Sequence, residues 1–382
     1  MTDDFVEPAY GSGSLADVLP SVGAALGVPT PGGRPPVLAL PTAPAYVVFL
    51  VDGLGSDLLT RHAHVAPYLS SLLTNDHTGP TTGTAGVPST TATSLTSLGT
   101  GLPPGTHGVV GFTSRVPGSD RLLNALFWDK DVDPVQWQPH PTAFMTLAAA
   151  GVSVTVVNKR EFRGSGLTLA AQRGGQYVGA DRIGERIAAA VGASATASIG
   201  APALTYLYDG DLDWTGHRYG VASQQWLQQL ASIDAEAEQL REALPSSVRL
   251  VVVADHGMVD SPDDHRVDVD QEPDLRDGVV LLGGEARFRH VYCARGAVAD
   301  VADRWAGLLG DRAVVLTREA AIQRGWFGPV SASVLPRLGD VVVACRDDWG
   351  IFSSVDFAYE LTLVGLHGSL TSAEMRIPLM VD

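Results

Sequence analysis

Two short motifs pair a carboxylate with a histidine, a combination that can bind a divalent metal ion. Asp213 and His217 are four residues apart, so on a helical turn both point along one face. Asp255 and His256 are adjacent, follow an apolar run and precede Gly257, which permits a backbone turn. A solvated helical pair and a strand-ending Asp with a structural histidine are the alternatives. Neither motif alone decides between them.

A hydroxyl-rich segment, residues 88–101, supplies candidate nucleophiles. Its small residues favour a helix start, which would place a threonine hydroxyl, Thr90 or Thr91, at the positive end of the helix dipole. An ordinary N-cap followed by a Ser/Thr-rich helix fits the same pattern. Late in the chain, His367 follows a short apolar run and precedes a glycine, although a lone histidine is usually structural.

The elements that must position these residues are apolar runs typical of buried parallel strands. Residues 45–51 run into Asp52 and residues 248–254 run into Asp255, with similar runs at 152–157 and 203–208. The carboxyl ends of such strands commonly host ligands. A helical pattern over 222–244 lies between two of the runs. The sequence therefore predicts an α/β fold with a mostly parallel sheet between helices.

Changes in composition and rhythm divide the chain into three parts. Residues 1–44 are rich in Pro, Gly and Ala and predict a leader segment packed across the surface, with one short helix around Leu15 to Leu26. Over residues 277–353 the pattern changes to short strands and helices, which predicts a small inserted α+β subdomain. Residues 45–276 and 354–382 then form the main domain.

Charge and composition exclude several classes of function. The chain has 382 residues, with 42 acidic against 26 basic ones and a net charge of −16. No long Lys/Arg cluster is present to neutralise a nucleic-acid scaffold, so bound divalent metals would have to supply positive charge. The acidic N-terminus lacks a secretory pattern, and no run reaches the roughly 18 apolar residues of a membrane span. We expect a cytoplasmic protein without a membrane partner.

Taken together, the candidate residues resemble the metal and nucleophile set of the alkaline phosphatase superfamily. Around the nucleophile, Pro88, Thr91, Thr100-Gly101, Pro104 and His107-Gly108 resemble the pattern of type I phosphodiesterases and nucleotide pyrophosphatases, and that register selects Thr91 over Thr90. The resemblance covers about Tyr46 to the C-terminus and implies an alkaline phosphatase-like core. The full set, in chain order, is Asp52, Thr91, Asp213, His217, Asp255, His256 and His367.

This resemblance implies two divalent metal ions and a phospho-threonine intermediate on Thr91. One ion would be held by Asp52, Asp255, His256 and the Thr91 oxygen. The other would be held by Asp213, His217 and His367. Imidazole and oxygen donors together favour zinc, although manganese or iron would also fit.

The substrate is less closely defined than the reaction. The sequence near the nucleophile has no Arg or Lys before Arg115, which favours a phosphodiester or pyrophosphate, including nucleotides, over a monoester. Phe112 stands about where the family has an Asn that helps bind the phosphoryl group. We take Thr90, Phe112, Lys159 and Arg160 as substrate-binding candidates, although a solvated basic loop explains the last two equally well.

Two other functions remain open at this stage. A phosphomonoesterase or phosphonate hydrolase of the same superfamily would differ mainly in cationic residues around the phosphoryl group. A catalytically inactive binding module would keep the fold and lose a ligand, yet none of the seven residues is missing. The oligomeric state is not predicted.

Overall fold

A computed structural model describes residues 5–29, 35–74, 81–195 and 200–382. Its strands, in chain order, are β1 Ala45–Val51, β2 Thr82–Thr84, β3 Thr113–Arg115, β4 Leu122–Asn124, β5 Ser153–Asn158, β6 Gln176–Gly179, β7 Ala203–Asp209, β8 Val248–Val253, β9 Val259–Asp260, β10 Arg266–Asp268, β11 Val279–Glu285, β12 Phe288–Cys293, β13 Ala313–Thr317, β14 Val341–Cys345, β15 Gly350–Phe352, β16 Gly365–Leu366 and β17 Arg376–Val381.

The α-helices alternate with these strands along much of the chain. In chain order they are α1 Val18–Ala25, α2 Ser56–Arg61, α3 Pro67–Leu73, α4 Thr91–Thr100, α5 Pro104–His107, α6 Pro134–Trp137, α7 Ala143–Ala149, α8 Gly166–Ala171, α9 Ile183–Ser194, α10 Asp211–Tyr219, α11 Gln224–Ala243, α12 Pro273–Arg276, α13 Val298–Leu309, α14 Arg318–Gln323 and α15 Ser372–Met375.

The main sheet has the strand order β2-β17-β8-β1-β7-β5-β6. The four apolar runs of the sequence form its centre, where β1 pairs in parallel with β7 and β8, and β5 pairs in parallel with β7. Every residue of β1 is buried, as expected of a parallel strand covered on both faces. Only β17 runs antiparallel to its neighbours β8 and β2. The predicted α/β fold with a mostly parallel sheet is confirmed.

A second, antiparallel sheet of order β11-β12-β14-β13 lies within residues 277–353. Helix α13 packs on it through Trp305, which is fully buried and donates its indole N–H to the Leu275 carbonyl oxygen. The same hydrophobic cluster includes Val267 and Phe357, outside that range. The core of the small sheet therefore draws on chain from both sides of the predicted insertion.

The prediction that the N-terminal segment packs across the surface is wrong, because its apolar side chains contribute to the core of the main sheet. Leu15, Val18, Leu19 and Val22 are fully buried there, mostly on α1, where the sequence predicted a short helix. Ser14 also forms an isolated β-bridge with Thr84. Residues 1–4 and 30–34 of the predicted leader lie outside the described residues. Over the described ranges, no helix combines the length and apolarity that crossing a bilayer requires.

Candidate metal and phosphoryl-transfer site

Three carboxylates meet at the carboxyl edge of the main sheet because their strands are neighbours. Asp52 follows β1, and Asp255 lies two residues after the adjacent β8. Asp213 lies in the first turn of α10, just after β7 on the other side of β1. Asp52 and Asp255 are buried. Parallel pairing alone therefore brings together residues up to about two hundred positions apart in sequence.

Gly257 is required here for close packing as much as for turning. A Cβ atom at this position would lie 1.9 Å from the carbonyl oxygen of Ala373. The Gly257 backbone N–H donates to the Glu374 carbonyl oxygen at 2.9 Å. The chain after Asp255 and His256 is thus pressed against the C-terminal segment, which fixes the direction of both side chains.

Each of the three carboxylates keeps one oxygen without a partner. The Tyr208 hydroxyl donates to Asp52 Oδ2 at 2.5 Å. Asp255 Oδ1 accepts the backbone N–H groups of Gly53 and His256 at 3.1 and 3.0 Å. In the described part of the chain, Asp52 Oδ1, Asp213 Oδ1 and Asp255 Oδ2 are buried and accept no hydrogen bond. Unpaired buried carboxylate oxygens are costly, so this arrangement fits a bound cation.

The three candidate histidines are oriented in the same way. The Nδ1 atoms of His217, His256 and His367 lie 2.7, 2.9 and 3.0 Å from the carbonyl oxygens of Gly365, Gly257 and Ser89. A carbonyl oxygen can only accept, so each Nδ1 carries the proton and each Nε2 presents a lone pair. Fixing the tautomer through a backbone carbonyl is how proteins orient metal-binding histidines.

These donor atoms form two overlapping clusters that could each hold a metal ion. Asp213, His217 and His367 form one, identical to the predicted second set. The other contains Asp52, His256 and Asp213, where the prediction has Asp255. Asp255 nevertheless lies beside it, because its Oδ2 is 3.5 Å from His256 Nε2. Asp213 therefore stands between the two clusters.

Burial and crowding raise the pKa values of two of the carboxyls and lower the pKa of one histidine. Burial raises the pKa of Asp52 well above its usual value, and the nearby charges of Asp255 and Asp213 raise it further. The pKa of Asp255 is also raised, mainly by burial. Burial lowers the pKa of His367 well below its usual value, and His256 and His217 add to that effect. A divalent ion would favour ionised carboxylates and neutral imidazoles together.

Thr91 lies at the same place, at the first residue of α4. Thr90 is the extended N-cap, with φ −138° and ψ 148°, so the helix turns immediately before Thr91. Thr91 Oγ1 is 3.2 Å from His256 Nε2. The seven residues singled out in the sequence thus lie together around one point of the sheet edge.

Residues 46–370 match the type I phosphodiesterase / nucleotide pyrophosphatase family. The chain belongs to this family. Its superfamily, that of alkaline phosphatase, was the one the sequence motifs resembled. No curated protein sequence matches the chain.

Solved structures of other proteins share the fold of this family member. Murine ectonucleotide pyrophosphatase / phosphodiesterase 5 is 19% identical, with 87% of each chain covered and a TM-score of 0.68. An inactive threonine-to-alanine variant of that protein, in complex with AMP, gives 18% identity, 87% coverage of each chain and a TM-score of 0.67. Phosphonoacetate hydrolase from Sinorhizobium meliloti, in complex with phosphonoformate, gives 21%, 92% of each chain and 0.65. At such identities the likeness concerns the fold.

In the present chain, a cavity of about 490 Å³ opens over Thr91 and the cluster of Asp213, His217 and His367. Trp214 and Phe127 stand at its exposed rim, with 62% and 84% of their surface accessible. The larger apolar side chains of the wall include Phe112, Leu126, Phe127, Trp214, Tyr359 and Leu363.

The four predicted substrate contacts divide into two pairs. Thr90 and Phe112 line the cavity. Lys159 does not line it, and its Nζ pairs with Asp211 Oδ1 at 2.7 Å. Arg160 is likewise absent from the cavity wall and pairs with Asp181 and Glu185 on the surface. Carboxylates nearby therefore hold the side chains of Lys159 and Arg160 outside the cavity. A sequence pattern does not show these ion pairs.

Two acidic residues of the cavity were not found by sequence reasoning. Glu285 ends β11 and is 7% exposed, and burial raises its pKa to about 8. Glu360 is paired with the buried guanidinium of Arg289. Both come from parts of the chain without a motif, so only tertiary packing places them beside the nucleophile.

Proposed function

We propose that this protein is a metal-dependent hydrolase that cleaves phosphodiester or pyrophosphate bonds of nucleotide-type substrates through Thr91. One observation carries the proposal: a threonine hydroxyl at a helix start lies 3.2 Å from His256 Nε2, among carboxylate oxygens that have no partner within the described residues. A purely structural role would not require a threonine hydroxyl, a histidine and unpaired carboxylates at the same place.

The donor set fits two divalent ions. Asp213, His217 and His367 would hold one, and Asp52 and His256, with Asp255 beside them, would hold the other. Mixed imidazole and carboxylate ligands favour zinc, with manganese or iron as alternatives. When bound, such ions lower the pKa of an adjacent hydroxyl and stabilise charge on the phosphoryl oxygens and on the leaving group.

Thr91 acts as the nucleophile in this proposal. Its Oγ1 forms a bond to phosphorus while the bond from phosphorus to the leaving oxygen breaks, so the phosphoryl group passes to the threonine. The start of α4 favours negative charge on that group through the helix dipole. The Thr91 proton departs with the leaving oxygen. Water then attacks the phospho-threonine: its hydroxyl oxygen bonds to phosphorus, the bond from phosphorus to Thr91 Oγ1 breaks, and the other water proton restores the Thr91 hydroxyl as the phosphorylated product is released.

The apolar wall of the cavity favours a substrate that carries an organic group beside the phosphoryl group. Phe127, Trp214 and Tyr359 offer aromatic surface on which a planar base can stack. Among the described residues, none that lines this cavity is Lys or Arg, the residues that would compensate the second charge of a monoester. AMP bound to the related murine protein supports a nucleotide substrate.

The test compares three chromogenic esters with zinc- or manganese-loaded protein: p-nitrophenyl thymidine 5′-phosphate, bis-p-nitrophenyl phosphate and p-nitrophenyl phosphate. We expect the diesters to be preferred, with turnover abolished in Thr91→Ala and retained in Thr106→Ala, a matched change on α5 outside the cavity. Preference for the monoester would assign a phosphatase instead. No Thr91-dependent turnover of any ester would favour the inactive binding module.

A further inference from the structure

Glu285 reaches the phosphoryl end of the cavity because glycine follows His367. The side chain lines the same cavity as Thr90 and Thr91. A Cβ atom at Gly368, whose φ is +132°, would lie 2.8 Å from Glu285 Cγ. Any larger residue after His367 would push the carboxyl away from this position.

The Glu285 carboxyl is only partly satisfied by the protein. It lies within hydrogen-bonding reach of the Thr90 hydroxyl and the Phe112 backbone N–H. Its Oε1 atom is buried and has no partner in the described part of the chain. A buried carboxyl oxygen that nothing satisfies, in the wall of a cavity, is placed to meet a ligand.

Across the described ranges, no Lys or Arg lines the cavity to neutralise Glu285. The guanidinium of Arg289 lowers the pKa of Glu285, but it is paired with Glu360 and also donates to the Ile351 carbonyl oxygen at 2.8 Å. Once it is ionised, at a pH above its raised pKa of about 8, Glu285 presents a negative charge to the group bound beside Thr91. A monoester carries one more negative charge than a diester, so it meets more repulsion here.

We propose that Glu285 is a specificity-determining residue, which lies beside the substrate's phosphoryl group and, in its ionised form, selects singly charged diesters against doubly charged monoesters. The inference rests on the proposed function and names the residue that sets its charge preference. It predicts that removing this one carboxyl shifts selectivity toward monoesters without removing the nucleophile.

The experiment measures kcat/KM for bis-p-nitrophenyl phosphate and p-nitrophenyl phosphate at a pH about one unit above the Glu285 pKa of about 8, where the carboxyl is ionised. We expect Glu285→Gln to lower the ratio of diester to monoester activity about tenfold, roughly 1.4 kcal/mol. The matched control is Glu319→Gln, the same change at an exposed site on α14. Glu285→Ala, a second variant in case the amide disturbs folding, should shift the ratio in the same direction.

A binding measurement provides a readout independent of turnover. At the same pH of about one unit above the Glu285 pKa, adding Glu285→Gln to zinc-loaded Thr91→Ala protein should tighten calorimetric binding of inorganic phosphate about tenfold. A ratio within about twofold of wild type, or unchanged phosphate affinity, overturns the role of Glu285 while Thr91-dependent diester hydrolysis keeps the proposed function. Absence of that hydrolysis in the wild type overturns the proposed function itself.

Discussion

The Nε2 atoms of His217 and His367 lie 3.2 Å apart, although neither can donate a hydrogen bond to the other. Each ring gives its Nδ1 proton to a backbone carbonyl, that of Gly365 for His217 and that of Ser89 for His367. Two lone pairs therefore face each other, with Asp213 Oδ2 3.4 Å from His217 Nε2. A positive charge between the donors would relieve their repulsion, and a divalent metal ion would supply it.

Metal addition should therefore stabilise the protein. At a zinc concentration about 100-fold above Kd, the free energy of unfolding should rise by about 2.7 kcal/mol, because only the folded chain assembles the site. Thermal unfolding with and without zinc measures the effect. His217→Ala should lose most of the shift, whereas His64→Ala, at an exposed position outside the clusters, should keep it. Equal shifts in both variants would contradict a site at His217.

Tyr208 should act as a positioning residue for metal binding. Its hydroxyl donates to Asp52 Oδ2 at 2.5 Å and so turns Oδ1 toward His256. Tyr208→Phe should weaken zinc binding by about 10- to 100-fold, the usual cost of losing such a supporting hydrogen bond. Competitive titration with a chelating dye gives the affinity.

The same strand offers a matched control for that change. Tyr206 lies two residues earlier on β7, and its buried hydroxyl has no hydrogen-bond partner among the described residues. Tyr206→Phe should leave zinc affinity unchanged, because it removes no hydrogen bond. If both variants bind zinc equally well, Tyr208 has no role in orienting Asp52.

Glu285 should make the stability of the metal-free protein depend on pH. Burial raises its pKa from 4.5 to about 8, so the folded chain binds the proton more tightly than the unfolded chain. The resulting stabilisation is fully present below about pH 4.5 and is lost as pH rises through about 8. The melting temperature of wild type minus that of Glu285→Gln should fall across this window. A constant difference would show that the carboxyl has an ordinary pKa.

Arg287 and Glu374 should contribute strongly to stability because both are fully buried and 2.6 Å apart. Arg287→Met leaves an unpaired buried carboxylate, at a cost of about 3–5 kcal/mol in the free energy of unfolding. Urea unfolding measures the loss. The control, Arg121→Met, breaks an exposed pair with Asp131 and should have no measurable effect. Comparable losses in the two variants would mean that burial of the pair is not what matters.

The sequence by itself determined the main strands of the sheet and the candidate metal-binding residues at their ends. A strand buried on both faces must be mostly apolar, so β1, β5, β7 and β8 are visible as apolar runs. The residues that end such runs, Asp52 and Asp255 above all, are therefore readable as neighbours. Motif spacing likewise separated Thr91 from Thr90, and the structure places Thr91 at the helix start beside His256.

Only the tertiary structure decided the walls of the cavity and the partners of its charges. Glu285 and Tyr359 lie beside Thr91 because distant elements pack there, and no local spacing marks either residue. Lys159 and Arg160 are basic in sequence, yet Asp211, Asp181 and Glu185 pair with them outside the cavity. A periodic pattern records which face of an element is buried. It does not record which distant side chain meets that face, because that depends on how all the elements pack.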